Sequence, residues 1–249
     1  MTILDEIAAK TRERVNKIRT DAPHRFSESL KTKSVNGIAF ICEVKRASPS
    51  KGMIAEDFPY LEIAREYERA GAAAISVLTE PHWFKGDNRY LFEIATAVNI
   101  PILRKDFTVD PYMIYEAKAL GASAVLLIAA ILTDTELRDF LNLAESLGLE
   151  AIVETHSETE VERAIKAGAS IIGVNNRDLT NMTVDLTMSE KLRKLIPPGV
   201  IFISESGIKT ADDVSRMKAI GADALLIGET LMRSSDKAEA LRSLSSGDK

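Results

Sequence analysis

Five apolar, β-rich runs of this chain end in a side chain that can carry charge or hold a polar ligand. In Ile41-Cys42-Glu43-Val44-Lys45, alternation puts Ile41, Glu43 and Lys45 on one face and Cys42 and Val44 on the other. By the same count Lys105 shares a face with Leu103, Glu154 with Ile152, and Glu205 with Ile201 and Ile203. A further run leads into Asn175 and Arg177. A lone Lys or Glu at the end of a strand reads as a solvated rim residue. Seven such groups, Glu43, Lys45, Lys105, Glu154, Asn175, Arg177 and Glu205, at matching ends of five runs read otherwise. Opposite charges gathered in one concave mouth are costly unless they serve binding or catalysis. They mark an active site.

The segments that follow these runs suit an anion. Arg46-Ala47-Ser48-Pro49-Ser50-Lys51-Gly52 is either a flexible basic loop or an anion-gripping lid, with the Ser48 hydroxyl and lysine side chains as donors. Ser204-Glu205-Ser206-Gly207-Ile208 and Ile227-Gly228-Glu229 place glycines where backbone could approach a phosphate closely. Pro81-His82-Trp83-Phe84 either packs as a loop or walls an aromatic substrate. Other chemistries find no support. The sequence lacks G-x-S-x-G, H-E-x-x-H and the P-loop pattern, and no G-x-G-x-x-G follows the first strand. His24, His82 and His156 are far apart, so no metal site is indicated. Cys42, on the outward face, reads as a small hydrophobe under a helix.

What positions these residues is a repeat of βα units. Strand runs are expected at 38–44, 73–78, 101–105, 124–129, 150–154, 171–175, 200–204 and 224–228, each followed by a helix-periodic stretch. Four joints, at Gly71, Gly121, Gly168 and Gly221, share a glycine flanked by small residues where a helix ends and the next strand begins. That self-similarity favours an α/β fold of the closed (β/α)8 TIM-barrel type over an open sheet. Asp110-Pro111 and Thr210 read as helix starts. Residues 1–37 form an N-terminal helical extension, with an amphipathic helix over Ile3–Ile18, and 235–249 read as a polar C-terminal tail that frays.

The 249 residues therefore make one barrel domain with nothing left for a second. With 32 Lys and Arg against 37 Asp and Glu, the net charge of −5 argues against nucleic acid or an anionic membrane as partner. One cysteine excludes an internal disulfide, and no run approaches the roughly 20 apolar residues of a membrane span. A soluble, cytoplasmic protein is expected, a monomer or weak homo-oligomer. Lys45, Arg46, Lys51, Lys105 and Arg177 fall at one barrel end, so an anionic substrate meets a local field that the global sum hides.

Several stretches carry a resemblance. They are Glu43-Val44-Lys45-Arg46-Ala47-Ser48-Pro49-Ser50-Lys51-Gly52, Leu103-Arg104-Lys105-Asp106-Phe107, Asp110-Pro111-Tyr112, Ala151-Ile152-Val153-Glu154, Gly173-Val174-Asn175-Asn176-Arg177-Asp178-Leu179 and Ser204-Glu205-Ser206-Gly207-Ile208. Over nearly its whole length the chain resembles the indole-3-glycerol phosphate synthase family. Trp83 departs from it, where another Phe or a small residue is expected, and Asn181-Met182 is variable ground. The resemblance implies a cofactor-free lyase of tryptophan biosynthesis. Its reaction is ring closure, decarboxylation and dehydration of 1-(2-carboxyphenylamino)-1-deoxyribulose 5-phosphate, a phosphorylated anionic small molecule. It implies Lys105 as general acid, with burial lowering its pKa toward working pH, and Glu154 as second catalytic group. Glu43 and Lys45 are a further pair that orients Lys105 or takes part in the dehydration. Arg177 lies near the anthranilate carboxylate, and Asn175 and Glu205 near the sugar hydroxyls or Lys105. It assigns Ser48, Ser206, Gly207, Gly228 and Glu229 to the phosphate, and Phe84, Phe107, Leu126, Ile128, Leu179 and Met182 to an aromatic pocket. The competing readings are another phosphate-binding barrel, of the phosphoribosylanthranilate isomerase or Schiff-base aldolase type, and a non-catalytic or reengineered barrel. The isomerase would need an inward cysteine, which Cys42 is not.

Overall fold

A computed structural model describes residues 5, 9–10, 25–178 and 180–246. Eight parallel strands close into a barrel: β1 (Ala39–Val44), β2 (Ala74–Leu78), β3 (Ile102–Lys105), β4 (Ala124–Ile128), β5 (Glu150–Thr155), β6 (Ile171–Asn175), β7 (Ile201–Glu205) and β8 (Ala224–Ile227). Each pairs with its sequence neighbours, and β1 pairs with β8 as well as β2. All eight fall on the expected runs, because short β-branched stretches buried on both faces favour parallel pairing.

Alternation divides the core in two. Ile41, Leu103, Leu126, Ile152, Ile203 and Leu226 meet inside the barrel. Cys42, Val44, Val125, Val153 and Val174 pack outward beneath the helices. The inward phase that buries Ile41 and Ile203 also carries Glu43 and Glu205 into the mouth.

The helices are α1 (Phe26–Thr32), α2 (Tyr60–Arg69), α3 (Asn88–Ala97), α4 (Pro111–Ala119), α5 (Asp134–Ser146), α6 (Glu158–Ala167), α7 (Thr187–Arg193), α8 (Ala211–Ala219), α9 (Glu229–Arg233) and α10 (Lys237–Ser245). Asp110 caps α4 ahead of Pro111, and Thr210 with Asp213 forms a capping box on α8. The joint glycines at 71, 121, 168 and 221 all adopt positive φ, the left-handed turn that stops a helix and releases the chain toward the next strand.

The amphipathic helix expected over Ile3–Ile18 lies outside the described residues except for Asp5, Ala9 and Lys10, which are helical. Within the extension, α1 crosses the N-terminal mouth: Phe26 and Leu30 join the inner core, and Ser29 Oγ donates to the Ala73 carbonyl at 2.6 Å. The frayed C-terminal tail is corrected. Asp236 caps α10, and Leu241 and Leu244 bury an apolar stripe against the barrel's outer layer, which outweighs the polar composition of the other face. No helix among the described residues is long and apolar enough to cross a membrane.

Candidate active site

The C-terminal mouth holds a cavity of about 710 Å³. On its floor, Lys105 at the end of β3 points its ammonium at Glu154 Oε2 from β5 (2.8 Å) and Glu205 Oε2 from β7 (3.6 Å). Asn175 at the end of β6 donates from Nδ2 to Glu154 Oε1 at 3.2 Å, and its own side-chain oxygen accepts from the Arg177 backbone N–H at 3.0 Å. Glu43 and Lys45 form a separate pair at 2.5 Å on the other side. The carboxylates of Glu43, Glu154 and Glu205 are each no more than 5% exposed, whereas the lysines keep about 15%. The acids are therefore sunk in the barrel while the ammonium groups face the cavity.

Burial works against a charged Lys105, but Glu154, Glu205 and Glu43 together raise its pKa above the ordinary lysine value. This corrects the expectation of a lowered pKa: three acids around one ammonium outweigh its desolvation. Burial likewise opposes ionisation of Glu154, yet Lys105 and His156 hold it well below the usual carboxylate range. Glu205 goes the other way. Burial, then repulsion from Glu154 and Glu43, pushes it up to about 8 despite Lys105. Neighbouring carboxylates are thus pushed in opposite directions, the arrangement that separates acid from base roles in one site.

Two glycines make room for this cluster. A Cβ at Gly173 would overlap Glu205 Oε1 and sit 3.2 Å from Ile152 Cγ2. A Cβ at Gly228 would overlap Glu43 Oε1 and lie 3.0 Å from Lys45 Nζ. Gly228 thus spares space for an acid–amine pair as well as lying beside the anion loops. Gly173→Ala is expected to displace Glu205, cost about 1–3 kcal/mol of stability and lower turnover. Urea unfolding alongside steady-state kinetics checks it, and unchanged values in both would show that Glu205 has room to move.

Around the rim, Ser206 (φ 67°) and Gly207 (φ 91°) form consecutive left-handed residues after β7. Gly228 precedes α9, and Lys51 approaches Glu229 at 3.7 Å. Ser48 lies instead in a two-residue strand paired with Gly52 and does not line the cavity; Ser50 and Lys51 of the same loop do. Arg46 is also absent from the lining. The cations that do line it are Lys45, Lys51, Lys105, Arg177, Lys209 and Arg233, against the acids Glu43, Asp106, Glu154, Glu205 and Glu229. An excess of cations in a chain of net charge −5 makes this end the anion-accepting one.

Phe84, Phe107, Leu126, Ile128 and Met182 line an apolar side of the same cavity, with the Phe84 and Phe107 rings 6.2 Å apart. Leu179 lies outside the described residues. The Phe84 loop is held from below: Glu80 accepts backbone N–H bonds from His82, Trp83 and Phe84 at 2.7–3.0 Å, which fixes Phe84 inward and leaves Trp83 69% exposed. Arg177 Nη1 donates to the Met182 carbonyl at 3.2 Å, drawing the loop beyond β6 over the site. Sequence reasoning did not single out His156 and Gly173 as parts of the site. A lone histidine outside any ligand pattern and a glycine inside a strand give no signal until the barrel closes.

Residues 4–244 match the family profile described as "Indole-3-glycerol phosphate synthase". The chain belongs to the indole-3-glycerol phosphate synthase family. Among its relatives, indole-3-glycerol phosphate synthase of Ruminiclostridium cellulolyticum is 51% identical, with 97% of this chain and 98% of that one covered. That of Endomicrobium trichonymphae is 52% identical, covering 97% and 99%. Among solved structures, 3-hexulose-6-phosphate synthase from Salmonella typhimurium superposes with a TM-score of 0.70 at 13% identity, over 84% of this chain and 98% of that one. Thiamine phosphate pyrophosphorylase from Pyrococcus furiosus reaches 0.64 at 18%, over 88% and 96%. These two share the fold alone. As an indole-3-glycerol phosphate synthase family member the chain is a carboxy-lyase of tryptophan biosynthesis and acts on a phosphorylated substrate. Cys42 is fully buried in the outer core, and burial raises its thiol far above the ordinary value, so it takes no part in the site.

Proposed function

We propose that Lys105 is the general acid of the family's ring closure on 1-(2-carboxyphenylamino)-1-deoxyribulose 5-phosphate, and that Glu154 is its partner base. The observation that carries this reading is the Lys105 ammonium held 2.8 Å from Glu154 at the floor of a cavity with one apolar and one cationic side. The ring carbon bearing the carboxylate attacks the sugar ketone, and Lys105 gives its proton to the ketone oxygen as the carbon–carbon bond forms. Carbon dioxide leaves, and the electrons of the broken bond restore the aromatic ring. The hydroxyl then departs as water and a base removes the last proton. Once Lys105 has given up its proton it no longer depresses Glu154, so that carboxylate becomes a competent base at the moment one is needed. Glu43 with Lys45 supplies a second acid–base pair for the dehydration.

Arg177 is assigned to the anthranilate carboxylate and Asn175 and Glu205 to the sugar hydroxyls. Phe84, Phe107, Leu126, Ile128 and Met182 receive the aromatic ring. Backbone N–H groups around Ser206, Gly207, Gly228 and Glu229 receive the phosphate, with Lys51 beside them. The Glu229 carboxylate is neutralised by Arg233, at 3.1 Å, and Lys51, at 3.7 Å.

Gly207→Val tests the phosphate assignment. A Cβ there would sit 2.6 Å from Val184 Cγ1 and the φ of 91° disfavours any side chain, so the turn must shift. The expected result is a KM raised by at least about tenfold for the phosphorylated substrate and little changed for a dephospho analogue. Equal losses on both would remove the assignment.

A further inference from the structure

His156 belongs to none of the roles above, yet it stands directly behind Glu154. It sits in the turn between β5 and α6, outside the cavity lining, with its side chain 16% exposed. Its Nε2 lies 3.3 Å from Glu154 Oε1, an ion-pair contact outside hydrogen-bond geometry, and has no hydrogen-bond partner among the described residues. Its other side is clamped. Glu160 Oε2 accepts from the His156 backbone N–H at 2.9 Å and lies 3.2 Å from Nδ1, while Glu160 Oε1 accepts from Ser157 Oγ at 3.1 Å. Glu160 is itself fixed in the first turn of α6, where Ser157 is the N-cap. With a carboxylate on each side, both ring nitrogens face an acceptor, which the doubly protonated imidazolium satisfies.

We infer that His156, held by Glu160, is a positioning residue that keeps Glu154 oriented and ionised for its exchange with Lys105. The inference rests on the proposed role of Glu154. The groups facing Glu154 are Lys105 from β3, Asn175 from β6 and the acid Glu205 from β7; those facing His156 are Glu154 and Glu160. Burial opposes the charge on Glu154, so a second cation at Oε1, the oxygen that Lys105 does not contact, has a purpose. Although burial disfavours it, the Glu154 and Glu160 carboxylates raise His156 to about 9, which supports an imidazolium at neutral pH.

The test is the pH profile of kcat for His156→Ala, His156→Gln and Glu154→Gln. His156→Ala should lower kcat about 10-fold with KM within about twofold, since the residue touches no substrate. Its acid limb should move to higher pH by about one unit, because Glu154 loses a cation. His156→Gln keeps a donor without the charge. It should recover kcat to within about threefold while its acid limb stays displaced. A His156→Ala or His156→Gln enzyme whose acid limb matches wild type overturns the inference, whatever the change in kcat. If His156→Ala does not fold, the acid limb of His156→Gln decides alone. If Glu154→Gln retains full activity, the reading of Glu154 itself fails. If Glu154→Gln is impaired while the histidine variants behave as wild type, only the role of His156 falls.

Discussion

Replacing Lys105 with Ala is expected to lower kcat by at least about 10²-fold, the scale of a general acid and equivalent to about 2.7 kcal/mol of barrier. The effect should be large because nothing else on the cavity floor can take over. Lys45, the other lysine ending a strand, is committed to Glu43 at 2.5 Å. Arg177 is a guanidinium, which does not release a proton in proteins. The barrel should survive the change. Losing the ammonium leaves Glu154 and Glu205 together, but Glu205 is already pushed up to about 8 and can remain protonated, so the floor need not hold two adjacent anions. Far-UV circular dichroism should be unchanged, and steady-state turnover should carry the whole loss. Wild-type turnover in the variant would remove Lys105 from the reaction.

The second large effect is Glu154→Gln, expected to lower kcat by about 10²-fold or more through loss of the base and of the contact that aims Lys105. It also changes Lys105. The raised pKa of that lysine depends first on the Glu154 charge working against burial. With a neutral amide in place, burial gains weight and the lysine pKa falls. A lysine must be protonated to act as an acid, so the alkaline limb of kcat should move to lower pH in Glu154→Gln. A pH series from neutral to alkaline conditions reads this directly. An alkaline limb at its wild-type position would show that Lys105 and Glu154 are not coupled in the reaction.

The fold was legible because it rests on a repeated signal. Runs such as 124–129 and 224–228, and glycines at the same point of four βα units, survive in the sequence as period and spacing. The charged floor was legible for the same reason: two-residue alternation ties Glu43 to Ile41 and Glu205 to Ile203, and once the apolar partner is inside, the acid follows. What escaped depends on closure or on balance. Gly173 matters only because β7 brings Glu205 against it, and His156 only because α6 offers Glu160 behind Glu154. The direction of the Lys105 shift required counting the acids around it, not only recognising that it is buried. Ser48 carries a suitable hydroxyl, but its pairing with Gly52 turns the loop so that Ser50 and Lys51 reach the cavity instead. The C-terminal segment looked polar by composition, while two leucines three residues apart were enough to seat it as a helix.

The role proposed for the acid–base pair of Lys105 and Glu154 is closure of the indole ring in this barrel. Its most direct measurement is formation of indole fluorescence from 1-(2-carboxyphenylamino)-1-deoxyribulose 5-phosphate, followed in parallel for the wild-type chain and Lys105→Ala. Wild type should form product steadily, and the variant at a rate at least about 10²-fold lower. Equal rates for the two proteins, or no indole from the wild-type chain, would contradict it.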